Sequence, residues 1–109
     1  MRAPGDKVED ALQELAELEV QRRLWLASSG EASSFTEAVC LLFDDSGLAR
    51  ALERNEVVYG VRVDAVLRRL GKAVQAIDES QDPVDLLADP MMETVRELAA
   101  QALLLLQSR

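Results

Sequence analysis

The sequence contains no histidine and one cysteine among its 109 residues, and aromatic residues make up only 4%. Without histidine there is no imidazole base and no histidine ligand for zinc. A single cysteine cannot form a disulfide within the chain, so nothing indicates an oxidising compartment. Cys40 lies in an apolar run with no basic residue beside it, which favours a buried and unreactive thiol. These absences argue against an enzyme.

Long hydrophobic runs are also absent. The longest apolar stretches, 38–43 and 102–106, are too short to span a bilayer. Residues 1–10 lack the apolar segment of a signal peptide. We therefore expect a cytoplasmic protein that makes no membrane contact. Arginine outnumbers lysine ten to two, a bias that is common in GC-rich bacterial genomes.

The residues that are abundant predict helices. Leucine and alanine supply 33 of the 109 residues, and apolar positions recur at helical spacing through most of the chain. We expect one all-α domain over 1–109, with 1–5 frayed. Its architecture is a small antiparallel bundle with three long helices at about 6–27, 64–77 and 90–107, and short helices at about 35–43, 48–54 and 83–88.

Several helix starts carry local signals. Ser34 and Glu37 form a Ser-x-x-Glu capping box ahead of an apolar run. Asp82–Pro83 and Asp89–Pro90 each read as an N-cap followed by proline at the first helical position. Asp64 is expected to cap the helix at 64–77.

Segment 57–63 is ambiguous. Its valines alternate with other residues, as in a strand. A lone strand would have no partner in so helical a chain unless a dimer supplied one. We interpret the segment as an extended connector and keep a homodimer, joined through it or through the last helix, as an alternative.

The formal net charge is −8, but the charge is uneven. One helix carries a basic cluster, which consists of Arg62, Arg68, Arg69 and Lys72. A DNA-recognition helix would look partly like this, yet the overall negative charge repels phosphate. We therefore expect no nucleic-acid binding. The basic face is expected to pair with an acidic neighbour, either within the molecule or on a protein partner.

Two places suggest a contact surface. On the first helix, Glu19 and Arg22 fall within the apolar arc and can pair with each other, and Trp25 follows one turn later. Tryptophan and arginine are preferred anchors of protein interfaces. On the last helix, Leu104 lies opposite the main apolar stripe, which indicates a deep position or an oligomer interface. Glu19, Arg22, Trp25 and Leu104 are the predicted partner-binding residues.

Carboxylate pairs offer an alternative. Glu14-x-x-Glu17 and Glu53-x-x-Glu56 resemble the clusters that hold metal in all-helical nucleotide pyrophosphatases. That resemblance implies Mg²⁺-dependent hydrolysis at Glu14, Glu17, Glu53 and Glu56. The doubled acidic cluster and the additional Lys and Asn positions of such a site are not evident, and a solvated helix face is the simpler explanation of Glu14 and Glu17.

The sequence therefore favours a non-catalytic acidic protein that acts by binding a protein partner, whose surface would be basic. Immunity proteins, antitoxins, secretion chaperones and inhibitors include small acidic proteins of this kind. No cofactor is expected. The Mg²⁺-dependent hydrolase is the alternative function.

Overall fold

A computed structural model describes residues 5–26, 34–45, 47–54 and 57–108, and within them the secondary structure is helical with no strand. The α-helices are α1 Gly5–Ala16, α2 Leu18–Trp25, α3 Phe35–Val39, α4 Leu48–Glu53, α5 Val61–Gln75, α6 Pro83–Ala88 and α7 Pro90–Gln107. A π-helical segment, Cys40–Asp45, continues α3. The predicted all-α class is confirmed.

The long helix α7 is the centre of a small bundle, because it packs most extensively against both α1 and α5. The π-helical segment packs on α1 and α4, and α2 packs on α6. The core between them is built mainly from leucine, valine and alanine, and Trp25, Phe35 and Phe43 are its aromatic members. Few aromatic rings are needed because small and branched side chains fill the space between closely packed helices.

The two helices that begin with proline have the predicted bounds. Both α6 and α7 carry proline in the first turn, where a missing amide proton costs nothing. The carboxylate of Asp89 accepts a hydrogen bond from the amide of Met91 at 2.9 Å and so caps α7. Asp82 occupies the same position before α6 but makes no capping bond with its side chain. Ser34 caps α3 as predicted, because its hydroxyl accepts from the Glu37 amide.

The prediction of one continuous helix over 6–27 is wrong. The helix is interrupted at Glu17, whose backbone is extended, with φ −113° and ψ 114°. No proline or glycine marks this position, so the break has no local signal. Its cause lies in side chains that replace the lost backbone hydrogen bonds, as described below. Residue 27 lies outside the described residues.

The second predicted helix, 35–43, also differs. The α-helical part ends at Val39, and the chain then runs to Asp45 with π-helical hydrogen bonding. A π-turn holds more residues than an α-turn and rotates each one less about the axis. The wider turn keeps Phe43 beside Leu42 on the buried side.

The start of α5 corrects another prediction. The helix begins at Val61, so Asp64 lies within its first turn and is not the cap. Gly60 precedes the helix with φ +136°, a conformation that favours glycine. Residues 57–60 form a connector, as expected, whereas 61–63 are helical. The predicted apolar stripe is confirmed, since all of its members are buried: Val63, Val66, Leu67, Leu70, Val74 and Ile77.

Candidate interaction surface

Trp25, the predicted interface anchor, is buried, with only 6% of its surface exposed. Its indole Nε1 donates a hydrogen bond to Glu14 Oε2 at 2.7 Å. Its ring meets Phe35 edge to face, with centroids 5.9 Å apart and an interplanar angle of 81°. This geometry is the favourable one for aromatic pairs. In this structure Trp25 joins α2 to α1 and α3 and presents little surface to a partner.

Glu19 and Arg22 face solvent instead of the core. Their side chains approach to 4.0 Å and are largely exposed. The break at Glu17 explains this position, because it changes the phase of α2 relative to α1. Among the α2 side chains that the structure describes, the buried ones are Gln21 and Trp25, four residues apart on one face. An exposed pair of this kind contributes only about 0.2–1 kcal/mol to stability.

A buried polar network holds the broken helix together, and the sequence analysis missed it. Gln21 is fully buried, and its Nε2 donates to the carbonyl oxygens of Leu15 at 2.8 Å and Glu14 at 3.1 Å. These are carbonyls from the end of α1. Gln21 Oε1 accepts from Arg96 Nε at 2.9 Å, and Arg96 also donates to the carbonyl of Leu87 at 2.9 Å. One glutamine and one arginine thereby connect α1, α2, α6 and α7.

The environment of Arg96 acts on its charge. Partial burial lowers the pKa of the guanidinium, the nearby positive charge of Arg22 lowers it further, and Glu93 opposes both. Arginine remains protonated throughout the physiological range. Hydrogen bonds to two neutral groups therefore hold the charged side chain of Arg96 in a partly buried position.

The signal for this network was the apparent conflict on the first helix. When 6–27 is treated as one continuous helix, the charged residues Glu19 and Arg22 fall inside its apolar arc. A local contradiction of that kind indicates a change of helical phase. It does not identify Arg96 as the distant partner.

Leu104 is exposed, as its position opposite the main stripe indicated, with 67% of its surface accessible. It borders a groove of about 370 Å³ between α1 and α7. Leu103 and Ala100 are the other apolar α7 residues in this groove, and on the α1 side the lining includes Gln13, Ala16 and Glu17. An apolar side chain therefore stands beside an open groove with a polar rim.

A second groove, of about 380 Å³, lies on the other side of α7. Leu105 lines it from α7, and Tyr59, Val61 and Arg62 line it from the connector and the start of α5. Val61 is 77% exposed. We call the apolar residues that line these two grooves near the end of α7 the α7-end surface and define it by Val61, Leu103, Leu104 and Leu105.

Asp64 positions one wall of the second groove. Its carboxylate is buried and accepts two backbone hydrogen bonds, from Val58 at 2.9 Å and from Tyr59 at 3.1 Å. Because Asp64 lies in the first turn of α5, these bonds hold the connector against the helix that carries Val61. Asp64, which was predicted to cap the helix, instead holds the connector that lines the candidate surface.

Charges of opposite sign lie on the two sides of the α7-end surface. Arg62 borders it on the α5 side, and Arg69, seven residues later, lies on the same side of α5 and is exposed. Glu17 borders it on the α1 side. Glu97, two turns before Leu104 on α7, is also exposed. The surface therefore has basic residues on its α5 side, Glu17 on its α1 side and Glu97 in line with Leu104 along α7.

The structure describes three of the four predicted metal ligands. Glu14 accepts a hydrogen bond from the Trp25 indole, Glu17 lies at the helix break, and Glu53 is the last residue of α4. Glu56 lies outside the described residues. Over 5–26, 34–45, 47–54 and 57–108, no three potential metal ligands come together.

No family model matches the chain, and neither a curated protein nor a solved structure gives a match. Among the helices of the described residues, none has both the length and the apolar composition that crossing a bilayer requires. Function must therefore be inferred from the surface itself.

Proposed function

We propose that this chain is a non-catalytic acidic protein-interaction protein and that it binds a protein partner through the α7-end surface. The observation that carries the proposal is the exposure of Leu104 and Val61, each of which lines a groove beside α7. Concave apolar areas with a polar rim are typical of protein contact sites.

Single exposed apolar residues are ordinary on protein surfaces. Val84 on α6 is an example, because it is 66% exposed but lines neither groove. Leu104 differs in having Leu103 and Leu105 beside it and an open groove on each side. Burying such a leucine in an interface contributes about 1.5–3 kcal/mol, which is the scale of an interface anchor.

The charge of the chain supports a partner with basic residues around an apolar contact. A net charge of −8 attracts a basic surface at long range and speeds its encounter. Glu17 and Glu97 lie where they would meet basic residues at the rim. The exposed pair Glu19 and Arg22 on α2 remains a predicted second contact, and a cytoplasmic site of action remains a prediction. The proposed class of binding protein includes immunity proteins, antitoxins, secretion chaperones and inhibitors.

Photo-cross-linking from two matched positions tests the proposal. A photoreactive amino acid replaces Leu104 in one variant and Val84 in the other, and both are irradiated in the cells that produce the protein. The two positions are equally exposed, so random encounters label them equally. We expect a discrete protein adduct from position 104, which can include an adduct with another copy of the chain, and none from position 84. Equal adducts from both positions, or none from position 104, contradict the proposal.

A further inference from the structure

We infer that the outer face of α5 binds a short acidic segment of a protein partner. We call this face the basic stripe and define it by its four bases, Arg62, Arg68, Arg69 and Lys72. The basic stripe borders the α7-end surface at Arg62 but contains none of its residues. The inference therefore goes beyond the proposed function and does not rest on it.

The basic stripe lies on the side of α5 that faces away from the core. Helical spacing puts Arg62, Ala65, Arg69 and Lys72 in one row along the helix, and Arg68 lies beside Lys72. Arg68 is half-buried, and the other three bases are exposed. Because Ala65 is small, a ligand can approach the helix closely between the first two arginines of the row.

No acid of the described residues neutralises the basic stripe. The one acid of α5, Asp64, is buried and accepts hydrogen bonds from two amides of the connector. In the part of the chain that the structure describes, none of the four bases forms an ion pair. Arg68 donates only a long hydrogen bond, of 3.5 Å, to the carbonyl of Leu52. The acidic neighbour that the sequence predicts for this face is therefore expected on a partner.

Like charges are neighbours within the basic stripe. Arg68 and Lys72 are four residues apart, and Arg69 and Lys72 are three apart. Side chains at these spacings lie next to each other on a helix, and equal charges four residues apart destabilise it. An arrangement that costs stability, with no compensating acid among the described residues, is typical of a functional site. An acidic ligand would remove this repulsion.

The rest of the molecule limits the size of that ligand. A helix with four bases and one acid is net positive, so the remainder is more negative than the −8 of the whole chain. Asp78 and Glu79 are exposed directly beyond the end of α5. Hydrogen bonds from the side chain and the amide of Ser80 lower the pKa of Asp78 and keep this acid ionised. A negative ligand is therefore attracted only while it stays over the basic stripe.

A narrow acidic peptide meets this limit better than a nucleic acid or a membrane does. A DNA duplex carries one negative charge for about every 1.7 Å of its axis, and an anionic bilayer is a continuous charged plane. Either extends beyond one helix face and also meets the repulsion of the acids around it. From Arg62 to Lys72 the basic stripe is about 15 Å long, which about five residues of an extended peptide cover. A segment of that length can place its carboxylates over the bases without reaching Asp78.

A titration of the isotopically labelled full chain with blocked hexaglutamate tests the inference. The measurement follows the arginine Nε–H signals by NMR at low ionic strength, and blocked hexaglutamine is the uncharged control peptide. We expect hexaglutamate to shift the signals of Arg62 and Arg69. The signal of Arg23, an exposed arginine on α2, should not move. Hexaglutamine should shift none of them.

Two matched charge reversals show whether the location of the charge matters. Arg69→Glu should raise the dissociation constant for hexaglutamate by about tenfold, because it replaces an attraction in the middle of the basic stripe by a repulsion. Arg23→Glu makes the same change in net charge on another helix and should alter the dissociation constant by less than about twofold. Unchanged core amide signals show that both variants are folded.

Three results would overturn the inference. They are the absence of shifts at the basic stripe, an equal loss of affinity in both variants, and binding of a short DNA duplex or of phosphatidylserine vesicles more tightly than hexaglutamate. The outcome is separate from that of the proposed function. If hexaglutamate binds and position 104 gives no cross-linked adduct, the inference stands and the proposed function fails. If position 104 gives its adduct and hexaglutamate does not bind, only the inference fails.

Discussion

Arg96 of α7 donates a hydrogen bond to Gln21 of α2 at 2.9 Å, between residues 75 positions apart in the sequence. The same glutamine donates to the carbonyls of Glu14 and Leu15 where α1 ends. The side-chain amide of Gln21 thus pairs with carbonyl oxygens at the end of α1 and with the guanidinium of Arg96. These hydrogen bonds compensate for the backbone hydrogen bonds that are lost where the helix breaks. The interruption at Glu17 is therefore a consequence of tertiary structure.

Gln21→Ala should destabilise the fold by about 2–4 kcal/mol, because it leaves Arg96 and two carbonyls without their partner. Gln13→Ala is the matched control, since Gln13 is exposed on α1. It should change the free energy of unfolding by no more than about 0.5 kcal/mol. Urea unfolding followed by circular dichroism measures both. Equal effects of the two substitutions would show that the network does not stabilise the broken helix.

The hydrogen bond between Trp25 and Glu14 gives a second prediction. Trp25→Phe keeps the edge-to-face contact with Phe35 and removes the indole donor, so it should cost about 1–2 kcal/mol. Glu14→Gln retains an acceptor oxygen but loses the charge, and about half of that cost is expected. Thermal unfolding compares the variants with wild type. A Glu14→Gln variant less stable than Trp25→Phe would contradict this account, because it would mean that Glu14 has a more important partner.

Asp64 gives a third prediction, which concerns the shape of the candidate surface. Asp64→Ala removes the acceptor for the amides of Val58 and Tyr59 and should cost about 2–4 kcal/mol. Asp64→Asn keeps one acceptor oxygen and should cost about half as much. Asp82→Asn is the control, because Asp82 is exposed and makes no capping bond with its side chain.

Amide hydrogen exchange distinguishes a local effect of Asp64 from a global one. The amides of Val58 and Tyr59 should exchange faster in Asp64→Asn than in wild type, under conditions where the core of α5 remains protected. Uniform acceleration across the whole chain would contradict a local clamp on the connector.

Metal binding gives a fourth prediction. Mg²⁺ or Mn²⁺ at millimolar concentration should leave the melting temperature unchanged, because Glu14 already binds Trp25 and Glu53 lies on a different helix. A ligand that binds the folded state at 100 times its dissociation constant would add about 2.7 kcal/mol of stability. A rise of several degrees that Glu14→Ala with Glu17→Ala abolishes would restore the hydrolase as a candidate.

The sequence predicted the fold where local chemistry determines it. Proline after aspartate marks the starts of α6 and α7, and the regular spacing of apolar residues marks the buried face of α5. The charged pair in the apolar arc indicated a change of helical phase, but the position of the break at Glu17 could not be predicted, because it depends on Gln21 and its distant partner Arg96 and Glu17 has no helix-breaking side chain. Asp64 was predicted to be a cap because aspartate is a preferred N-cap residue. In the structure Gly60 precedes α5, and Asp64 lies in the first turn of the helix.

The candidate surface was predictable in part. Leu104 was recognised because an apolar residue opposite the buried stripe is conspicuous in a sequence. Trp25 was expected on the surface because the phase of a continuous helix placed charged residues beside it. The two grooves and the opposite charges of their flanks depend on how α1, α5 and α7 pack, which no short segment of sequence encodes.

The most direct test of the central claim is to measure how far solvent reaches Leu104 and Val84 when lysate from the producing cells is added to the isotopically labelled chain. Both side chains are equally exposed, at 67% and 66%, so their methyl protons should respond equally to a soluble paramagnetic probe in the purified protein. With lysate present, we predict that the relaxation enhancement of Leu104 falls by more than half, while that of Val84 does not change. Enhancements that stay equal would contradict a partner on the α7-end surface.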